Sequence, residues 1–253
     1  MTTQVLGDTT ILLGRSMRHV TRSVDTIITV TVMPIAMMLM FVYVFGGAIH
    51  TGSVEYVDYM LPGILLITIA TATAYTALRL FTDLQNGIFE RFQSMPIARS
   101  SVLWAHVVTS LVSTSISLVL VAVVAVLVGF RSSAGVLAWL AVAGVLVLFT
   151  LALTWIAVIA GLSARTPDGA GAYSYPLIFL PFVSSAFVPT DTMPTVVAAF
   201  AEHQPVTPIV DTIRDLLARQ PAGTDLWVAL AWCAGTLVVA YAFATAAYHR
   251  RIA

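Results

Sequence analysis

Six long apolar stretches run through this chain, and they limit what it can fold into. They cover residues 27–47, 61–78, 102–130, 136–162, 173–188 and 226–248. A helix of about 20 apolar residues crosses the roughly 30 Å of hydrocarbon in a bilayer. Because backbone groups inside lipid must satisfy their own hydrogen bonds, each stretch predicts a membrane-spanning helix. The expected fold class is therefore all-α, a polytopic membrane protein with six transmembrane helices.

The fifth stretch, residues 173–188, is the shortest of the six and ends at Pro189. We expect it to stop before the far membrane surface, with residues 189–225 returning partly into the bilayer. Non-helical backbone at that depth is tolerated only where protein or a wet cavity covers it.

Composition leaves no room for a separate soluble domain. Hydrophobic residues make up 59% of the 253 residues and charged residues 9%, whereas soluble domains carry roughly 25% charged residues. We therefore expect a single transmembrane domain over residues 1–253. The formal net charge is zero, so nothing in the charge balance indicates a nucleic-acid partner.

Arginine placement predicts the orientation, because short cytoplasmic loops carry an excess of basic residues. With both termini in the cytoplasm, the cytoplasmic arginines are Arg15, Arg18, Arg22, Arg79, Arg91, Arg99, Arg165, Arg250 and Arg251. The opposite side then has only Arg131, Arg214 and Arg219. Residues 1–26 alternate apolar residues with arginines, which predicts an amphipathic helix on the cytoplasmic surface.

The energy for any transport is expected to come from another chain. All twelve basic residues are arginine, and a P-loop needs a lysine on the nucleotide phosphates. The six stretches contain no Asp, Glu, Lys or Arg, although proton-coupled transporters commonly place an ionisable group there. His106, near the cytoplasmic end of the third stretch, is the one titratable candidate. A histidine so close to an interface is more often hydrogen-bonded than a proton relay.

Metal and hydrolytic chemistry find no support in the sequence. The five histidines are isolated, and neither H-E-x-x-H nor G-x-S-x-G occurs. Cys233, the only cysteine, cannot form an internal disulfide. We therefore assign no catalytic residue, metal site or cofactor to this chain.

The second stretch is rich in small and hydroxyl residues, which allow helices to approach closely and to hydrogen-bond to one another. Candidates for a subunit interface or a substrate path are Thr68, Thr71, Ala72 and Tyr75, together with Met37 and Tyr43 of the first stretch. Packing against the chain's own helices explains the same pattern equally well.

Two groups of residues carry a family resemblance. The first is LPGI at 61–64 followed by DLQNGIFERFQSMPIARS at 83–100. The second is AFVP at 186–189, MP at 193–194, HQPVTP at 203–208 and RDLL at 214–217. In order and spacing, both groups resemble the ABC-2 type permease family, especially its daunorubicin-resistance branch.

The resemblance implies a second permease, identical or a paralogue, and two copies of a separate ATPase that binds ATP and Mg. It implies a cytoplasmic coupling loop over residues 79–100, whose helix sits in a cleft of the ATPase. The coupling residues would be Asp83, Phe89, Glu90, Arg91, Phe92, Pro96 and Arg99. It also implies an extracellular re-entrant hairpin before the last span, with Pro189, Pro205, Pro208 and Arg214.

The function we expect is that of a permease subunit in an ATP-driven exporter of the bacterial cytoplasmic membrane. Surrounded by membrane lipids, it would move an amphipathic drug or a lipid-like compound out of the cytoplasm. A proton-coupled secondary multidrug transporter is one alternative, and it would work without an ATPase. A non-transporting membrane assembly factor is another, and it would have no ATPase partner.

Overall fold

The structure is a computed structural model that describes residues 24–47, 55–87, 99–221 and 223–252. At the helix ends 24–27, 99–101 and 249–252, only the backbone is described. The expected surface helix over residues 1–26 lies outside the described residues, except that residues 24–26 begin the first helix.

The described residues fold almost entirely into helices. In chain order these are α1 Val24–Met40, α2 Tyr56–Gln85, α3 Arg99–Val128, α4 Val136–Ser163, α5 Pro167–Ala172, α6 Ser174–Phe179, α7 Thr195–His203, α8 Val206–Leu217 and α9 Asp225–Ile252. A π turn, Phe41–Phe45, continues α1, and short 3-10 turns cover Leu180–Val183 and Thr190–Thr192. The all-α fold of a polytopic membrane protein is confirmed.

Five helices in the described part of the chain are long and apolar enough to cross a membrane. They are α1 with its π turn, α2, α3, α4 and α9, and they match the predicted spans 27–47, 61–78, 102–130, 136–162 and 226–248.

The fifth predicted span, residues 173–188, is not one long helix, which corrects the expectation for this segment. It is divided into α6, the 3-10 turn Leu180–Val183 and a non-helical stretch that begins at Ser184. Pro181 opens the 3-10 turn and Ser184 is extended, with φ −139°. Proline has no N–H to donate, and this segment has two prolines, Pro176 and Pro181, whereas α1 and α2 each continue past a single one. The segment therefore lacks the length of a complete helical span.

The second helix is the centre of the fold. Of an 18-residue apolar stretch of this helix, 72% of the residues are buried inside the chain, against 17% to 33% in the corresponding stretches of the other four long helices. It packs against α1, α3, α4, α5 and α6. It is also longer than the predicted span, so the helix includes Asp58 at one end and Arg79 and Asp83 at the other. The predicted coupling loop 79–100 therefore begins inside α2.

Two apolar clusters hold the bundle together. The larger surrounds the first half of α2 and includes α8, whose Ile209 and Ile213 have almost no exposed surface. The smaller lies at the Gln85 end of α2, where the Trp155 ring meets the Tyr241 ring edge-on at 4.8 Å. Both clusters bury apolar residues of α4, so α2 and α4 form the common wall between them.

Candidate functional site: the two ends of the second helix

The two sequence groups that carry the family resemblance touch each other in the structure. A Cβ atom on Gly63 would lie only 2.7 Å from the Ala186 Cβ and 3.2 Å from the Phe187 ring. The Tyr56 hydroxyl donates to the Phe187 carbonyl at 3.3 Å. Glycine is therefore required where the first half of α2 passes the segment at Ala186 and Phe187.

Arg214 of α8 forms the centre of a polar cluster at this end of α2. Its guanidinium donates to the Ser185 carbonyl at 2.8 Å, to the Tyr59 carbonyl at 3.2 Å and to the Asp211 carboxylate at 2.6 Å. The guanidinium carbon also lies 3.9 Å from the centre of the Tyr59 ring. The Ser185 hydroxyl donates to the same Asp211 oxygen at 2.7 Å. One side chain thus joins α8, α2 and the segment after the 3-10 turn.

Burial controls the electrostatics of this cluster. Desolvation raises the pKa of Asp211 above its ordinary value, although the Ser185 hydrogen bond and the Arg214 charge oppose the shift. Desolvation likewise raises the pKa of Asp215, one helical turn further on. Taking a charge out of water is costly unless it is paired, so the Arg214 cation offsets part of the cost of burying the Asp211 carboxylate.

The predicted hairpin prolines mark the turns of this region. Pro189 precedes the 3-10 turn Thr190–Thr192, and Pro205 precedes α8. Pro208 lies in the first turn of α8, which begins at Val206, so no intrahelical donor is lost there. The Gln204 side chain accepts from the Val206 N–H at 3.1 Å and fixes the turn between α7 and α8.

At its other end, α2 is joined to α3 by a polar contact. The His106 Nε2 atom lies 3.3 Å from the Asp83 Oδ2 atom, and the His106 side chain is buried. These two helices flank residues 86–98, so the contact holds the two ends of the predicted coupling segment together. Asp83 is the one predicted coupling residue whose side chain the structure describes.

The remaining predicted coupling residues are only partly covered. Phe89, Glu90, Arg91, Phe92 and Pro96 lie outside the described residues. Arg99 is described in its backbone alone, as the first residue of α3. Their roles stay predictions.

Between the two ends of α2, a row of hydroxyl groups crosses the bundle. The Thr76 hydroxyl of α2 donates to Ser110 of α3 at 2.8 Å, and Ser110 lies 3.3 Å from the Thr154 hydroxyl of α4. All three side chains are buried. Hydroxyl pairs of this kind hold helices together in lipid, where no water competes for them.

The candidates for an interface or substrate path lie in different environments. Thr68 has no exposed surface, and its hydroxyl donates to the Ile64 carbonyl within its own helix at 2.7 Å. Ala72 is also buried, Thr71, Tyr75 and Met37 are half-buried, and Tyr43 is exposed. For Thr68 and Ala72 the structure favours packing within the chain over contact with a second subunit. Tyr43 and the half-buried residues stay candidates for either role.

No group of three or more His, Cys, Asp or Glu side chains that could hold a metal ion occurs in the part of the chain that the structure describes.

The sequence did not predict the partners of Arg214 and Asp83. Asp211 and Arg214 are three residues apart on one helix, a spacing at which side chains meet. That spacing could have indicated the contact between Asp211 and Arg214.

Comparison with known proteins identifies the family of this chain. The model of the ABC-2 type transporter family matches residues 8–218. The chain belongs to this family. It is 29% identical over 217 residues to the daunorubicin resistance ABC transporter permease protein DrrB1 of Streptomyces coeruleorubidus, covering 84% of this chain and 76% of that protein. It is 24% identical over 238 residues to the probable doxorubicin resistance ABC transporter permease protein DrrC of Mycobacterium tuberculosis, covering 92% and 85%.

Membership of the ABC-2 type transporter family places ATP hydrolysis outside this chain. The chain is the membrane permease of an ABC-2 type exporter, and its ATPase is a separate subunit with which it pairs. The missing lysine agrees, since the nucleotide phosphates must be bound by another polypeptide.

Proposed function

We propose that this permease exports an amphipathic drug or a lipid-like compound from the cytoplasm of a bacterium. Both relatives carry the name of an anthracycline resistance, to daunorubicin or to doxorubicin. An interior of hydroxyl, aliphatic and aromatic side chains suits a cargo with a large apolar part. A small ion or a sugar phosphate would need charged partners inside the membrane.

The assembly we propose contains a second permease, identical or a paralogue, and two copies of the ATPase. The chain sits in the bacterial cytoplasmic membrane with both termini in the cytoplasm, which the distribution of arginines supports. Residues 79–100 would then meet the ATPase, and the Arg214 cluster would lie on the outer side, within a re-entrant hairpin.

The single observation that carries the mechanism is the continuity of α2. Its 30 residues form one helix of about 45 Å. One end is tied to α3 through Asp83 and His106, and the other is tied to α8 through Arg214. Pro62 lies within α2 and removes one backbone hydrogen bond near Tyr59, but the helix continues through it. A displacement of the coupling segment would therefore be transmitted along α2 to the hairpin region. ATPase closure would thereby open the far side of the path.

Glu90 and Arg91 are the residues we expect to carry charged contacts to the ATPase. The test is to co-isolate the permease with its ATPase and to measure ATP hydrolysis and export with Glu90→Ala and Arg91→Ala. We expect a several-fold loss of substrate-stimulated hydrolysis and of export, with the complex still assembled. Native activity of both variants in an intact complex would refute the coupling role.

A further inference from the structure

An apolar groove runs along the surface between α4 and α9. Its volume is about 670 Å³, within the range of about 300–1,000 Å³ that is typical of small-molecule sites. Ile156 and Ile159 form the α4 wall, and residues from Val228 to Phe243 form the α9 wall. Fifteen steps along α9 make the groove about 22 Å long. Thr236 and the indole of Trp232 are the only polar side chains in its lining.

Beside the groove lies a smaller cavity of about 100 Å³. Ile156, Trp232 and Thr236 line both spaces, so the two adjoin at these three side chains. The inner cavity is enclosed by α4, α6, α8 and α9, and Ile209 and the buried Cys233 lie in its wall. The broken segment that replaces the fifth predicted span therefore leaves a space behind α9 that the described residues do not fill.

The groove is continuous with the surface that faces lipid. Val238 and Phe243 of α9 are exposed, and only 17% of an 18-residue apolar stretch of this helix is buried. A second helix, with a diameter of about 10–12 Å, could cover the groove but could not enter the inner cavity. Water would find almost no hydrogen-bonding partners there. A linear, flexible hydrocarbon can fill both spaces.

We propose that the groove and the inner cavity form a binding site for one acyl chain of a membrane phospholipid. The chain lies along α9 between Ile159 and Trp232, and its terminal methylenes occupy the cavity beside Cys233. The bound acyl chain completes the packing between α9 and α8, which the protein leaves unfilled. The site is separate from the polar clusters at the two ends of α2 and does not depend on which compound the permease exports.

Trp232 is a built-in reporter for this site, because bromine atoms on a nearby acyl chain quench tryptophan fluorescence. The protein is reconstituted in dioleoyl phosphatidylcholine vesicles with an increasing fraction of phosphatidylcholine brominated on one acyl chain. Subtracting the emission of Trp232→Phe from that of the native protein isolates the Trp232 signal. We expect this signal to be quenched steeply at low bromolipid fractions and then to saturate.

Two glycine substitutions provide a matched pair. A Cβ added at Gly235, in the groove, or at Gly144, outside it, meets no atom within 4 Å. Gly235→Leu fills the groove, and we expect at least a twofold loss of the Trp232 quenching. Gly144→Leu should leave the quenching unchanged. Ala231→Leu is a second groove-filling variant, and a native-like unfolding temperature shows that each variant is folded.

Two results would overturn the proposal. The first is Trp232 quenching that the groove-filling variants leave at the native level, since the bromolipid would then be reaching Trp232 from the bulk bilayer. The second is a Trp232 that no bromolipid fraction quenches, together with loss of a dimer on Gly235→Leu. That result would show that a second copy of the chain covers the groove.

Discussion

Arg214 is the residue on which the packing of α8 against the Tyr56 end of α2 depends most. It donates to two backbone carbonyls, from Tyr59 and Ser185, and to the Asp211 carboxylate. A glutamine in its place cannot reach all three acceptors and leaves the half-buried carboxylate without a counter-charge. We expect Arg214→Gln to lower the free energy of unfolding by about 3 kcal/mol, measured by denaturant unfolding in detergent.

The same variant should show a characteristic pH dependence. Burial already raises the pKa of Asp211 in the folded state, and removal of Arg214 raises it further. A carboxyl group with a raised folded-state pKa gives stability that is present below the unfolded-state pKa and is lost as the pH rises through the folded-state value. The loss of unfolding free energy caused by Arg214→Gln should therefore be smaller at pH 5 than at pH 7.5. Adding Asp211→Asn to this variant should recover part of the lost free energy at pH 7.5. A deficit equal at both pH values would contradict this account.

The Asp83–His106 contact at the opposite end can be tested by a double-mutant cycle. A hydrogen bond that involves a charged group contributes about 1.5–3 kcal/mol, and both side chains are less than one third exposed. We expect a coupling energy near 1.5 kcal/mol between Asp83→Asn and His106→Gln in unfolding experiments. The exchange Asp83→His with His106→Asp should restore part of the loss. If the double variant lost as much unfolding free energy as the two single variants together, the two side chains would not interact.

At the scale of the helices, the approach of α4 to α2 depends on Gly161. A Cβ there would lie 2.8 Å from the Ala77 carbonyl oxygen and 3.1 Å from the Leu80 Cβ, so the two helices would have to separate. Overpacking costs typically about 1–3 kcal/mol, more than the roughly 0.5–1 kcal/mol that alanine gains over glycine in a helix. We expect Gly161→Ala to be destabilising by about 1–2 kcal/mol.

Gly144→Ala is the matched control for that substitution. Both glycines belong to α4, but a Cβ at Gly144 meets no atom within 4 Å. Only the helix preference acts there, so this variant should be neutral or slightly stabilising. Equal unfolding temperatures for the two variants would show that α2 and α4 are not in close contact at Gly161.

Most of the helical architecture could be predicted from the apolar stretches alone. Five of them became long helices, because continuous apolar sequence in lipid leaves the backbone no other way to satisfy its hydrogen bonds. The fifth differed because two prolines, Pro176 and Pro181, fall within it, whereas α1 and α2 each continue past a single proline. The count of apolar residues does not show where a backbone hydrogen-bond donor is missing. The length of α2 was underestimated, since the polar Asp58 and Asp83 lie in its end turns, where they find partners.

The candidate site was harder to predict. Sequence groups identified Asp83 and Arg214, but not His106 or Tyr59 as their partners. The pairs Asp83–His106 and Tyr59–Arg214 join different helices, and no local spacing brings them together. The requirement for Gly63 also depends on a remote segment, at Ala186. The sequence thus indicates which residues matter at the two ends of α2. Their contact partners on other helices can be identified only from the three-dimensional packing.

For the whole molecule, the central claim is that energy enters from a separate ATPase and that α2 carries it across the membrane. The chain lacks any lysine for nucleotide phosphates. In the described part of the chain, the Asp, Glu and Arg residues of the long helices lie in or near their end turns. A proton gradient would therefore have little to act on, whereas the proposed coupling segment would be the place where the ATPase binds and moves the permease.

The most direct test is transport into inside-out vesicles that contain the permease with or without its ATPase. Doxorubicin and a fluorescent phospholipid serve as the two cargoes, and a protonophore removes any proton gradient. We predict that at least one cargo accumulates only when ATP and an ATPase with an intact P-loop lysine are both present, and that the protonophore has no effect. Accumulation by the permease alone, or the movement of neither cargo in the complete complex, would contradict the account.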